Sequence, residues 1–423
     1  MNRQKKTMMI ILSSITMAVL LGLGVYFGMK PQSCQSQEKA ESRVMTDRNG
    51  HVLDQTEAGR YYDMMSGGGD EVSGKDLMLT IDHELQQFGE ALMEGKRGSI
   101  VAIEPSTGEV LCMASDVSEP MAVPSIAGSY PPGGVFKTVQ ALVLLSEGII
   151  TPQTRYSCDG GFEREGVRIV CRHHKPLLSL ADALSRACNG YFCQAYLDMM
   201  ENGKYGSVQD AMERWRDYVV SFGFGSQLGI DLPHEKRGAI PTADFYDKAY
   251  KGQWDGETVL GNAVGQGEIL ATPLQIANLS AIIANRGYYH IPHVVKGVQG
   301  QETDGKYSSA YFTKASREAF DAVIMGMGLS VLNGTCRSLS TLPIRLCGVS
   351  GTALSKENRH SVFIGFAPIE NPRIAVAVYV ENGGWGAKYA APIGGLVMEK
   401  YLRRELTADS KDKAEQIRTQ HLP

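Results

Sequence analysis

Apolar and polar positions recur with two different periods along this chain of 423 residues. In GSIVAIEPSTGEVLCMAS, residues 98–115, two apolar runs flank a Pro-Ser-Thr-Gly turn, and this pattern predicts a β-hairpin. The spacing then changes to apolar residues at every third or fourth position, which is typical of amphipathic helices. The helices predicted in this way lie near 138–148, 180–200, 207–222, 272–286 and 316–331.

The period changes back to that of strands near residue 346. The runs LCGVSGTAL, HSVFIGFAP and RIAVAVYVEN lie within 346–382 and are separated by turn-rich pieces, so they predict three strands. A last amphipathic pattern predicts a helix over about 390–404. The hairpin, the helical middle, the late strands and the closing helix together predict one α+β domain, in which helices cover the faces of an antiparallel sheet.

An uncharged apolar run, MMIILSSITMAVLLGLGVYFGM, covers residues 8–29 and is long enough for a helix to cross a membrane. The basic start MNRQKK would hold the N-terminus in the cytoplasm. The alternatives are a cleaved signal peptide and a lipid anchor on Cys34. No Ala-x-Ala-like cleavage site follows the run, and KPQSC lacks the apolar residue of a lipobox, so the sequence favours an uncleaved single-pass anchor.

These patterns predict five segments along the chain. They are a cytoplasmic tail 1–7, a transmembrane anchor 8–29, a short polar stalk 30–75, one compact domain 76–405 and a polar tail 406–423. Lys and Arg, 42 together, nearly balance the 46 Asp and Glu, and no basic tract is present. The sequence therefore predicts no nucleic-acid binding. It also predicts no cofactor.

The chain has eight cysteines, and in an exported domain these suggest disulfides. Cys158 and Cys171 flank one short loop and are predicted to form a bridge; Cys336 and Cys347 flank another loop that a bridge could close. Cys188 and Cys193 lie five apart on one helical pattern, which is poor bridging geometry.

Zinc-binding residue types occur together at Cys158, Cys171, His173 and His174. Their spacing matches no common zinc module, and adjacent histidines point in different directions. The sequence alone therefore predicts no metal site.

Three short segments resemble the motifs of a serine acyltransferase. Such a site needs S-x-x-K for nucleophile and base, S-x-N for proton relay, and a strand with K-T-G that holds a terminal carboxylate. YPPGGVFK, 130–137, resembles YPPGSTFK; RACNGYF, 186–192, resembles SCN-x-YF; and CGVSGTA, 347–353, resembles CGKTGTA. Further segments, such as FGFGSQLGIDLP, GQGEILATPLQIAN and AAPIGGLVMEKYL, match in the same order.

On these motifs the chain is identified as similar to class B penicillin-binding proteins, and most similar to the penicillin-binding protein 2 group, over roughly residues 43–405. The resemblance implies a periplasmic D,D-transpeptidase domain, anchored in the inner membrane by one helix, that cross-links peptidoglycan stem peptides through a serine acyl-enzyme. It also implies partners in cell-wall synthesis, such as a polytopic membrane glycosyltransferase. Of the family's N-terminal pedestal, only a last stretch resembling VMTDRNGHVLDQTEAGRYYD remains here.

Position by position, the resemblance places the nucleophile at Gly134 and the general base at Lys137. The second motif falls on Ala187, Cys188 and Asn189, and the strand motif on Val349, Ser350 and Gly351, followed by Thr352. The base, the asparagine and the substrate-binding residues Ser350, Gly351 and Thr352 are present. The nucleophilic serine, the relay serine and the carboxylate-binding lysine are absent.

Loss of the nucleophile alone costs a serine protease on the order of 10⁶ in kcat. Three losses that affect three different steps therefore predict a pseudo-transpeptidase, which acts by binding or scaffolding. The family's oxyanion hole consists of backbone amides, here those of Gly134 and Thr352, and could remain.

Two alternatives stay open: an active D,D-transpeptidase with a non-standard site, and a purely structural relative whose cleft no longer binds stem peptide. Lys137 would accordingly be either a remnant whose amine is held by Asn189 and backbone carbonyls, or a group that still binds a ligand.

Overall fold

The computed structural model describes residues 44–65, 76–164, 166–171, 174–299, 301, 304–355 and 358–420. The predicted cytoplasmic tail and transmembrane anchor, 1–29, and the glycine-rich end of the stalk lie outside the described residues. Within the described ranges, no helix is both long and apolar enough to span a bilayer.

A five-stranded antiparallel sheet forms the centre of the fold, as the sequence predicts. Its strands, in spatial order, are β12 (Cys347–Ser355), β13 (Asn358–Ala367), β14 (Ile374–Val380), β3 (Gly98–Ile103) and β4 (Val110–Ala114). The strand β3 of the predicted hairpin 98–115 pairs with β14, the last of the three late strands, and so joins the hairpin to them. Val378 of β14 lies opposite Ile100 of β3, and Ile364 of β13 lies opposite Val349 of β12.

Helices cover both faces of this sheet. In the part of the chain that the structure describes, they are α1 (Gln55–Met65), α2 (His83–Met93), α3 (Val123–Ile126), α4 (Lys137–Ser146), α5 (Leu180–Arg186), α6 (Asn189–Met200), α7 (Val208–Ser221), α8 (Ala243–Tyr250), α9 (Pro273–Ala284), α10 (Gly305–Ser308), α11 (Arg317–Asn333), α12 (Ala390–Arg403) and α13 (Ala408–Thr419).

The strand β14 shows why both faces are covered. All of its residues are buried, and because side chains alternate along a strand, they divide between two hydrophobic clusters. Val376 and Val378 belong to the cluster that includes α12, and Ala375 and Ala377 belong to the cluster that includes α9. A run that is apolar at every position is therefore a central strand between two helical layers.

The fully buried helix α9 begins at a strong sequence signal. The Thr272 hydroxyl accepts from the Gln275 backbone N–H, and the Gln275 side-chain oxygen accepts from the Thr272 backbone N–H. Pro273 occupies the first turn. This capping box with an N-terminal proline fixes the start of the helix. The Gln275 amide also donates to three backbone carbonyls of the segment 223–237, so one side chain ties α9 to a neighbouring loop.

The helix predicted over 180–200 is broken in the structure. The first part, α5, ends at Ala187, whose φ of 54° is left-handed, and α6 starts after Cys188. A capping box of Ser179 and Asp182 begins α5, and the Cys188 sulfur caps α6 by accepting the Tyr191 N–H. The apolar period alone misses this break because both helices bury their faces in the same core.

Shorter strands form small sheets around the central one. They are β1 (Met45–Thr46), β2 (Leu77–Leu79) and β10 (Val295–Val298) in one sheet, and the pairs β5 (Arg155–Ser157) with β8 (Leu177–Ser179), β6 (Gly161–Arg164) with β7 (Val167–Val170), and β9 (Tyr288–His290) with β11 (Ala310–Phe312). Met45, Ala414 and Ile417 are buried, so the ends of the described chain pack on the domain. The predicted tail 406–423 thus contains the packed helix α13.

Candidate active site and sulfur cluster

A tight turn brings the first motif against the edge strand β12. Residues Gly133–Phe136 form one 3₁₀ turn that continues into α4, and Lys137 is the first residue of that helix. Gly133 has a φ of 60°, and its N–H donates to the Gly265 carbonyl at 2.8 Å. A side chain at Gly133 would lie 2.7 Å from the Thr352 carbonyl, so this position requires glycine.

Gly134 occupies the nucleophile position beside the base. A Cβ atom on Gly134 would lie 3.1 Å from the Lys137 Nζ, 3.1 Å from the Gly351 Cα and 3.7 Å from the Thr352 nitrogen. A serine there would therefore sit next to the lysine amine and next to the second amide of the predicted oxyanion hole. The geometry around the missing hydroxyl is that of an acyl-transfer site.

Lys137 is only 4% exposed, and no hydrogen bond among the described residues involves its amine. Burial lowers the pKa of Lys137, although three nearby cysteines act in the opposite direction. The predicted remnant contact with Asn189 is absent, because the Asn189 side chain donates to the Val170 carbonyl at 2.7 Å. Lys137 thus lines the cleft as a buried amine that is free to bind a ligand.

The strand motif forms the opposite wall. Ser350, Gly351 and Thr352 line the cleft, whereas Val349 is buried in the core and is not part of its lining. A Cβ on Gly351 would lie 2.6 Å from the Val135 nitrogen, so strand and turn touch through their backbones. Replacement of the lysine by Val349 therefore removes a charge without filling the cleft.

The cleft between these walls is open, with a volume of about 420 Å³. The motif residues Gly134, Lys137, Ala187 and Asn189 line it together with the strand motif, so the structure brings the three motif segments to one place.

Beside the cleft, four side chains with metal-binding atoms converge. We call Cys158, Cys171, His174 and Cys188 the sulfur cluster; their ligand atoms all lie within 4.8 Å of one another. The Cys171 sulfur is 3.6 Å from the Cys158 sulfur and 3.8 Å from the Cys188 sulfur. These separations match the edge of a tetrahedron around zinc, about 3.8 Å for Zn–S bonds of about 2.3 Å.

The N-terminus of α6 points at these sulfurs. The Asn189 and Gly190 backbone N–H groups donate to Cys171 at 3.0 and 3.2 Å, and the Tyr191 N–H donates to Cys188 at 3.3 Å. Hydrogen bonding from Cys188, together with the Gly190 N–H, lowers the pKa of Cys171 to about 4. A thiolate, the form that binds metals, is thus stabilised here.

His174 completes the donor set with a defined tautomer. Its Nδ1 lies 2.8 Å from the Lys175 carbonyl, which requires a proton on Nδ1 and leaves a lone pair on Nε2. Nε2 is buried and makes no hydrogen bond within the described residues. Metal-binding histidines commonly show this arrangement, so the four residues fit a tetrahedral zinc ion.

Two sequence expectations therefore change. The predicted Cys158–Cys171 bridge is not formed: both thiols are free, and their separation exceeds the about 2.05 Å of a disulfide. Cys336 and Cys347 are also free. The member of the sulfur cluster that sequence reasoning missed is Cys188, and its signal was a cysteine inside the second motif, beside a helix start.

Comparisons with known proteins agree with this geometry. Residues 98–399 match the family described as penicillin binding protein transpeptidase domain. Peptidoglycan D,D-transpeptidase MrdA of Acinetobacter baumannii is 31% identical over 384 residues, which cover 77% of this chain and 54% of that protein. The chain thus spans somewhat more than half the length of the curated relatives it matches.

Solved structures show the same fold. PBP2 of Pseudomonas aeruginosa in complex with WCK 5153 has a TM-score of 0.72 and 27% identity, covering 87% of this chain and 98% of that one. PBP2 of Helicobacter pylori in complex with MreC has a TM-score of 0.65 and 25% identity, covering 81% and 64%. The chain therefore belongs to the penicillin-binding protein transpeptidase family, as a class B, penicillin-binding protein 2-like member.

Proposed function

We propose that this protein is a pseudo-transpeptidase of cell-wall synthesis, which binds peptidoglycan stem peptide or scaffolds partners without forming an acyl-enzyme. The observation that carries this proposal is the place of Gly134. The Lys137 Nζ lies 3.1 Å from where the nucleophile's Cβ would be, so the base is in position and the hydroxyl is missing. Without that hydroxyl there is no serine to acylate.

The remaining groups suit binding better than catalysis. Ala187 and Val349 provide neither a relay hydroxyl nor a cation, so proton transfer and carboxylate binding by the usual groups are both lost. The Thr352 nitrogen lies 3.7 Å from where a Gly134 Cβ would be, so the amides of Gly134 and Thr352 would flank a carbonyl bound there, and the cleft is open. A stem peptide would therefore bind reversibly and weakly.

We further propose that residues 8–29 anchor the chain in the inner membrane, with the domain in the periplasm. The H. pylori relative was solved in complex with MreC, which supports a partner among cell-wall synthesis proteins. A polytopic glycosyltransferase is a second such partner, which the anchor helix could contact.

The sulfur cluster would hold zinc through Cys158, Cys171, Cys188 and the His174 Nε2. Bound there, the ion would supply structural cross-linking. Cys158 and Cys171 flank the β6–β7 hairpin, and Cys188 begins α6, so the cluster joins that hairpin to the helix that carries Asn189. The cleft wall on this side would thus be fixed by the cluster.

An active transpeptidase is the second candidate, and one observation favours it. The Cys171 thiol has a lowered pKa and lines the cleft, so it is a candidate replacement nucleophile. Curated relatives also carry the name D,D-transpeptidase. The cluster argues against this role, because a metal-bound sulfur is a poor nucleophile.

Intact-mass spectrometry separates the two candidates. After incubation with excess benzylpenicillin, we expect no mass increase, and calorimetry with a synthetic stem pentapeptide should show weak reversible binding. A stoichiometric adduct that peptide mapping places on Cys171 would reject the pseudo-transpeptidase and support the alternative. Cys171→Ser, treated in the same way, is the matched control for any labelling.

A further inference from the structure

Among the described residues, the cleft wall carries positive charge and no carboxylate. Lys137, Arg168 and Arg186 line the cleft, and no described Asp or Glu does. An excess of one charge in a concave, partly apolar site attracts ligands of the opposite charge. The cleft is therefore suited to an anionic group on its ligand.

Arg186 and Arg168 differ in how they are held. The Arg168 side chain is 72% exposed and lies 3.7 Å from the Glu163 carboxylate, at the rim of the cleft. Arg186 is half-buried and makes no hydrogen bond or ion pair among the described residues. A half-buried guanidinium without a counter-ion is available to a ligand carboxylate, which it can bind through two parallel hydrogen bonds.

The position of Arg186 is next to the strand motif. The preceding carbonyl, of Ser185, accepts the Thr335 N–H at 2.9 Å, and Thr335 itself lines the cleft. The next residue, Cys336, is buried close to Ser350. Arg186, Thr335 and Ser350 thus form one continuous part of the wall. The buried Lys137 amine, which has no hydrogen-bond partner in the part of the chain that the structure describes, lines the same space.

We propose that Arg186 binds the terminal carboxylate of a peptide in this cleft, in place of the strand-motif lysine that Val349 replaces. The cation would come from the end of α5 instead of from β12, and Ser350 would still donate its hydroxyl. This inference rests on the proposed function, in which the cleft binds stem peptide. It makes Arg186 the residue that selects peptides with a free C-terminal acid.

Titration calorimetry on the full chain, with a stem pentapeptide and its C-terminal amide, tests this proposal. We expect the wild type to prefer the acid, and Arg186→Met to weaken acid binding by about 10- to 100-fold while leaving amide binding unchanged. Arg186→Lys, which keeps the charge but loses the planar fork, should weaken acid binding less. Arg168→Met should change it by less than about fivefold, because that charge is exposed and paired.

The amide separates binding from folding, since a structural role for Arg186 would weaken both peptides by the same factor. Equal losses for acid and amide, unchanged acid binding in Arg186→Met, or an equal loss in Arg168→Met would each overturn the assignment while leaving the proposed function intact. A folded wild type that binds neither peptide would overturn both this assignment and the binding part of the proposed function. Circular dichroism melting of each variant establishes that it is folded.

Discussion

The cleft and the sulfur cluster share the N-terminus of α6, yet they are complete in different respects. In the cleft, the backbone has the geometry of an acyl-transfer site, while three reactive side chains are missing. In the sulfur cluster, all four donor side chains are present, and their backbone segments, a hairpin and a helix start, are brought together only by the fold. Under the proposed function, the protein would use its cleft without the family's chemistry, beside a cluster suited to structural metal binding.

The largest effect is expected from restoring the three side chains that the cleft lacks: the nucleophile, the relay hydroxyl and the cation. Gly134→Ser, Ala187→Ser and Val349→Lys together should produce measurable acylation by a fluorescent penicillin, at a rate about 10²–10⁴-fold above that of Gly134→Ser alone. The nucleophile, relay and cation act as a unit, so their effects are strongly non-additive. A serine at 134 requires shifts of a few tenths of an ångström, because its Cβ would lie 3.1 Å from two atoms.

The pH dependence of the triple variant provides a control for this experiment. Lys137 must be neutral to accept the serine proton, so acylation should rise with pH through the pKa of Lys137. Because burial lowers that pKa, the rise should occur below the usual lysine value of 10.5. A folded triple variant that stays unlabelled at every pH would show that the cleft geometry is unsuited to catalysis.

Removing one donor of the sulfur cluster should have the next largest effect. Cys171→Ser should weaken zinc binding by at least about 100-fold, which corresponds to about 2.7 kcal/mol of stabilisation by bound metal. Elemental analysis of protein purified from zinc-containing medium should give one zinc per wild-type chain and less for the variant. Thermal unfolding should give a lower melting temperature for the variant than for the wild type.

Cys193→Ser is the matched control. Cys193 is a buried free cysteine of α6, the helix that Cys188 caps, and it lies outside the cluster. It should retain zinc. A wild type without zinc, or a Cys171→Ser variant with full zinc content, would contradict the metal assignment.

Lys137→Met should stabilise the protein. No described residue forms a hydrogen bond with the buried amine, so an apolar side chain of similar length should raise the free energy of unfolding by about 1–3 kcal/mol. Denaturant unfolding measures this change. The neighbouring Thr138 is equally buried, but its hydroxyl donates to the Val135 carbonyl at 2.8 Å, so Thr138→Val should destabilise instead. Destabilisation by Lys137→Met would assign the lysine a structural role.

The smallest expected effect concerns the hydrogen bond by which Asn189 of α6 contacts the β6–β7 hairpin, between the cleft and the sulfur cluster. Asn189→Ala removes the hydrogen bond to the Val170 carbonyl and should lower the free energy of unfolding by about 0.5–1.5 kcal/mol. Gln194→Ala, which removes only an interaction with Asp198 on the same helix, should cost about 0.5 kcal/mol or less. Equal costs for the two variants would mean that Asn189 does not connect the hairpin to α6.

Much of the fold follows from local patterns. The apolar run of β14 predicted a strand, and the three late strands and the hairpin 98–115 were confirmed within a few residues. The break between α5 and α6 could not be predicted in this way. Ala187 is neither glycine nor asparagine, and its left-handed conformation is imposed by the surrounding core instead of by its own preference.

The positions of the cleft residues also followed from their order in the motifs, but the contacts of their side chains did not. Asn189 bonds to a hairpin carbonyl instead of to Lys137, and nothing local to either residue indicates that choice. The sulfur cluster combines residues from a hairpin, a loop and a helix cap, so its ligand set depends on tertiary packing. His173, which the sequence also grouped with these residues, lies outside the described residues.

The backbone contact between Gly351 and the turn at Gly134 acts as a spacer between the walls of the cleft. Because a Cβ on Gly351 would lie 2.6 Å from the Val135 nitrogen, main-chain atoms set the distance between the walls and the reactive side chains do not. Mutations at the nucleophile, relay and cation positions can therefore accumulate without closing the cavity. If the proposed loss of acyl transfer is correct, a protein built in this way would keep a concave surface available for new ligands after its original reaction had stopped.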